Sequence, residues 1–123
     1  MAVAAASVAL AACHDPAKSS LPAPAIPFCA AAQRYDEAIQ KPSKATRQEQ
    51  AAAQVPLVEK MAVAAPADVK RAAGIFLDAM RRRAAGDASV VDQPSVRRAV
   101  DDVNRRAGNG CGFYKSQSGG GGI

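Results

Sequence analysis

One stretch limits what this chain can fold into more than any other: Ala65-Pro66-Ala67-Asp68-Val69 through Arg81-Arg82-Arg83-Ala84-Ala85-Gly86. Val69, Ala73, Phe76, Met80 and Ala84 recur at i, i+4, i+7, i+11 and i+15, and Leu77 widens the stripe. That spacing lays an apolar band along one side of a 3.6-residue helix. Pro66 suits the first helical position, and Asp68 puts a carboxylate near the unpaired amides of the first turn. Arg81, Arg82 and Arg83 favour the carbonyl end, and Gly86 suits a left-handed cap. Start, face and stop agree on a helix over Pro66–Ala85. A helix with so clear a face needs partners to cover it, and the rest of the chain supplies them.

The first partner is a helix over Pro27–Gln40, with Phe28, Ala32, Tyr35 and Ile39 on one face and Asp36 and Glu37 turned outward. Pro42 disfavours helix at Lys41 and separates this element from the next. The second helix is expected to begin between Ser43 and Thr46 and to run to Ala64. Ala51, Val55, Val58 and Ala62 form one stripe, and Gln54, Leu57 and Met61 a neighbouring one. Pro56 removes a backbone donor inside that run, so either a kink or a break is expected there. After Gly86, residues 87–91 read as a short connection. Asp92 reads as the cap of a last helix, with Pro94 in its first turn. Val96, Val100, Val103 and Ala107 share its face, Asp101 and Arg105 have the spacing of a weak pair, and Gly108-Asn109-Gly110 reads as its stop. No sustained alternation of β-branched residues occurs, and Ala-rich segments favour helix. The expected class is all-α: a small up-down bundle of about four helices.

With 123 residues the chain suits one domain. Aromatic residues make up only 4% and Trp is absent, so the core must rest on small aliphatic side chains. Such a core leaves a thin margin, and a covalent staple would matter.

The first 12 residues carry no charge and end in Leu10-Ala11-Ala12, followed by Cys13. This resembles the lipobox of bacterial lipoprotein signal peptides, in which a large aliphatic and two small residues precede a Cys. The resemblance implies cleavage before Cys13 and attachment of diacylglycerol to its thiol. The chain departs from that pattern in having no Lys or Arg before Lys18. The apolar run is too short to span a bilayer, which takes about 20 residues. The expected organisation is a signal peptide over 1–12, a lipid-anchored flexible linker over 13–26, a helical domain over 27–115 and a Gly/Ser tail over 116–123. Cys13-His14-Asp15 has the residue types of a thiol triad, but adjacent residues on a linker do not converge on one reacting atom. No second Cys/His cluster completes a metal site, so none is expected.

Three cysteines leave one over in a secreted chain. Acylation accounts for Cys13. Cys29 then lies near the start of the first helix and Cys111 after the last. In an up-down bundle of four helices those two ends meet, so a Cys29–Cys111 disulfide is expected. The other possibility is a pair of unpaired thiols, which suits a cytosolic chain better.

As a whole the chain resembles the small Ala-rich helical lipoproteins of high-GC Gram-positive bacteria. The residues that carry the likeness are the lipobox, Phe28-Cys29 with Tyr35-Asp36, Ala65-Pro66-Ala67-Asp68-Val69 and Cys111-Gly112. The likeness implies location and fold rather than an activity.

For function, the leading expectation is a non-enzymatic cell-envelope lipoprotein that binds a partner or small ligand. Its expected partners are the membrane, through the N-terminal lipid, and an envelope protein or anionic surface. His14 is the only His, so no Ser-His-Asp set exists beyond it, and no phosphate loop or HExxH motif occurs. No cofactor is implied. The alternative is capture of haem or a small apolar ligand, with Tyr35, Tyr114, Met61 and Met80 as candidate ligands. Net charge is +5, and Arg81–Arg83 with Arg97, Arg98, Arg105 and Arg106 raise polyanion binding. Scarce aromatics argue against nucleic acid as the partner.

Overall fold

The computed structural model describes residues 21–112. Four helices follow one another: α1 (Ile26–Gln40), α2 (Arg47–Ala64), α3 (Ala67–Ala84) and α4 (Pro94–Cys111), with a 3-10 segment, Ala88–Asp92, before the last. Consecutive helices pack on each other and α1 also touches α4, so the fold is a small all-α bundle.

The central helix forms much as its sequence dictates. Val69, Ala73, Phe76 and Met80 are buried, joined by Ala79. Pro66 is the N-cap rather than the first helical residue. At the other end Gly86 adopts φ 109°, a conformation that costs a residue with a Cβ. The Asp87 amide donates to the Arg82 carbonyl at 2.9 Å and the Gly86 amide to that of Arg83 at 3.0 Å. This is the Schellman pattern, which fills carbonyls left open at a helix end.

Helix α2 is one uninterrupted element with Pro56 inside it. The break allowed by the sequence does not occur. The lost hydrogen bond is tolerated because Ala51, Val58 and Met61, on both sides of Pro56, anchor the helix in the core. Its start is fixed by a reciprocal pair: Thr46 Oγ1 accepts from the Glu49 amide at 3.1 Å, and Glu49 Oε1 accepts from the Thr46 amide at 2.9 Å. A two-residue link, Ala65-Pro66, joins α2 to α3. Lys70 Nζ donates to the Val63 carbonyl across it at 2.9 Å.

Three expectations fail at α4. Asp92 is not its cap; Gln93 holds that position, with no side-chain bond, because Asp92 belongs to the 3-10 segment. That segment is more than a connection, since Val90 is fully buried against Ala79 and Val96. Gly108-Asn109-Gly110 does not stop the helix either. It continues to Cys111 and is capped by Gly112 at φ 85°. Packing explains the glycines. Gly108 is buried, and a Cβ on Gly110 would lie 2.7 Å from Pro24 Cδ. Tertiary contact therefore overrides the helix cost of these two residues. The expected Asp101–Arg105 pair is also replaced, with Arg105 lying 3.9 Å from Asp102 instead.

The core centres on Phe28, Val58, Met61 and Val103, each with 1% or less of its surface exposed. Tyr35 meets Phe76 edge to face, with ring centroids 5.5 Å apart. Ile39 ends outside this core, at 45% exposed, and Ala31 replaces it on the packed face of α1.

Candidate functional site

Cys29 in the first turn of α1 and Cys111 in the last turn of α4 are joined by a disulfide, with Cα atoms 5.5 Å apart. Around this end the chain is tied further. Arg106 Nε donates to Asp68 Oδ2 at 2.8 Å, and its Nη2 donates to the Pro22 carbonyl. The stretch read as a linker over 13–26 is described from Leu21 onward, and there it lies against the end of α4 through Pro22 and Pro24. Cys13, His14 and the first 12 residues fall outside the described residues, as do Tyr114 and the 116–123 tail.

The arginines singled out for polyanion binding do not form one patch of free charge. Arg81 pairs with Glu59 at 3.3 Å, Arg82 with Asp87 at 3.0 Å, and Arg106 with Asp68. The Ser89 hydroxyl, with help from Arg82, holds the Asp87 carboxyl below its ordinary range. Of the haem-ligand candidates, Met61 is sealed in the core at 1% exposed, and Tyr35 is committed to its contact with Phe76.

What the structure does bring together is a pair of adjoining clefts, one over the α2–α3 seam and one between α3 and α4 that reaches Tyr35 of α1. The polar one, about 270 Å³, is lined by Arg47, Gln50, Ala51, Gln54, Met80 and Arg83. The other, about 350 Å³, is more apolar; Tyr35, Phe76, Val91, Val96 and Val100 are among its walls. Gln54, Met80 and Arg83 line both. Arg83 sits at the junction. Among the described residues its Nε is buried with no hydrogen-bond partner. Burial, helped by the Asp36 carboxylate, raises the Tyr35 phenol above its ordinary range, and the nearby Arg83 guanidinium offsets part of that rise.

The sequence reading missed this convergence, although two signals were present. Arg83 follows Phe76 and Met80 by seven and three residues, so it lies on the packed face rather than only at the helix end. Gln54 stands in an otherwise apolar stripe of α2. A third cleft, about 570 Å³, lies between α1 and α2, with Pro27, Arg34, Pro56 and Val63 among its walls.

Among the described residues no group of three or more His, Cys, Asp or Glu stands ready to hold a metal ion. No helix among them is long and apolar enough to cross a membrane. No family model, no curated protein and no solved structure matches the chain.

Proposed function

We propose that this chain is a non-enzymatic cell-envelope lipoprotein: Cys13 carries the lipid, and the four-helix body is a binding module held outside the membrane. The observation that carries the reading is the Cys29–Cys111 bond. It uses two of the three cysteines and leaves over the one that follows Leu10-Ala11-Ala12. Disulfides persist in oxidising compartments, which supports an extracytoplasmic location. A single acyl-bearing residue at the head of a Pro/Ser/Ala segment would suspend the body near the membrane surface. The binding role is supported by the paired clefts, whose polar and apolar walls meet at Arg83.

A second reading, capture of a small apolar ligand, is favoured by the cleft walled by Tyr35, Phe76 and Val100. It differs in what is bound and leaves the tether unchanged.

Detergent phase partitioning tests the tether. Expressed in a bacterium with lipoprotein-processing enzymes, the native chain is expected in the detergent-rich phase. A Cys13→Ala chain is expected in the aqueous phase. Identical partitioning of the two would refute the anchor.

A further inference from the structure

The geometry points to the paired clefts as a binding site for a single-chain anionic amphiphile, a carboxylate or phosphate monoester head on a short apolar tail. The head would lie against Arg83 and Arg47, and the tail along Tyr35, Phe76, Val96 and Val100. This deepens the binding-module reading and rests on it.

The argument starts with charge. The polar cleft contains two guanidinium groups and two primary amides and no carboxylate. The acids that pair with the end of α3 are taken by its other two arginines: Glu59 by Arg81, and Asp78 and Asp87 by Arg82. Among the described residues Arg83 and Arg47 have no such partner. Arg83 is not needed to close its own helix. The Arg81, Arg82 and Arg83 carbonyls accept from the Ala85, Asp87 and Gly86 amides, and the Ala84 carbonyl accepts from Gln48 Nε2 at 3.0 Å. The guanidinium therefore has donors to spare. One of them, Nε, is buried where water does not satisfy it freely.

A buried unpaired donor is costly, and an anion that takes it up regains that cost. A planar carboxylate or a phosphate fits the fork of a guanidinium, and the flanking Gln54 amide can donate to a remaining oxygen, while Gln50 Nε2 is held by the Ala45 carbonyl at 2.8 Å. An ion alone would leave the second cleft empty of ligand contact. Its walls include aromatic and β-branched side chains beside Arg97 and Asp101, and it shares Met80 and Arg83 with the polar cleft. Together the clefts have the mixture of apolar wall and few converging polar groups typical of small-ligand sites. Asp101 and Arg97, both from α4, also line the second cleft. Their opposite charges offset each other there, whereas the polar cleft holds two guanidinium groups and no carboxylate, so the head lies toward α2 and the tail toward α4.

Calorimetric titration of the full, disulfide-bonded chain tests this. Cys13→Ala is included so that no attached lipid competes for the clefts. The probes are sodium octanoate, octyl phosphate, 1-octanol and acetate. Octanoate or octyl phosphate is expected to bind at one site, at least about tenfold tighter than octanol or acetate. Their relative affinity identifies the head group. Arg83→Met keeps the side-chain stem and removes the charge. It is expected to weaken the anionic probes about tenfold or more and to leave octanol unchanged, with Arg83→Lys in between. Thermal unfolding of the unliganded Arg83→Met chain checks that the bundle is intact. Equal binding of octanol and octanoate, or octanoate binding indifferent to Arg83→Met, would overturn the site. Binding to a chain whose native form lacks lipid would leave this site standing and remove the tether; a lipid-bearing chain that ignores every probe would do the reverse.

Discussion

Replacing Cys29 and Cys111 together by Ala is expected to cost the fold about 4.5 kcal/mol. The bridge spans 82 positions, so in the chain-entropy account it removes a long loop's worth of freedom from the unfolded state. The whole stability of a domain this size is about 5–15 kcal/mol. Other ties exist at the same end, namely Arg106 to Asp68 and to the Pro22 carbonyl. They are formed only in the folded chain and do not restrain the unfolded one. The melting temperature should therefore fall by roughly 20–35 °C. Circular dichroism of the oxidised, reduced and doubly substituted proteins reads this. The reduced and substituted forms should melt together, and a shift of only a few degrees would mean that the bridge records proximity without supporting the fold.

The second large effect is expected from Phe28→Ala, at about 3–5 kcal/mol. Phe28 is fully buried and is the largest such side chain in the core. Its neighbours are fixed by the adjacent bridge at Cys29, so the cavity left by truncation has little freedom to close. Ile39→Ala is the control. It occupies the same apparent stripe but is 45% exposed, and surface changes of this kind usually stay within about 0.5 kcal/mol. Urea unfolding of both variants separates the two expectations. Equal losses would show that the stripe read from the sequence, rather than the packing seen in the bundle, sets the core.

That contrast shows where sequence pattern carries the structure and where it stops. The α3 stripe was legible because start, face and cap are all local properties, and its helix forms within one residue of expectation at each end. The pairing of Cys29 with Cys111 was legible because helix count and direction bring those ends together whatever the packing detail. The end of α4 was not. Gly110 looks like a terminator until Pro24 is seen filling the space where a Cβ would stand. Ile39 looks like core until α1 is seen to present Ala31 instead. Continuity of α2 through Pro56 depends likewise on burial at Val58 and Met61, which no local rule contains. The cleft at Arg83 lay hidden for a related reason. Three arginines in a row read as one charged turn, yet a helix points them in different directions. Arg81 and Arg82 reach acids, and Arg83 faces the α2 seam.

The central claim is a division among three sulfur atoms, and intact mass spectrometry of the protein from the membrane fraction tests it most directly. The account predicts a chain beginning at Cys13 that carries the mass of the acyl groups. It should take up no alkylating reagent before reduction and two equivalents after it, one each at Cys29 and Cys111. A chain without added lipid, or one whose thiols alkylate without reduction, would contradict it.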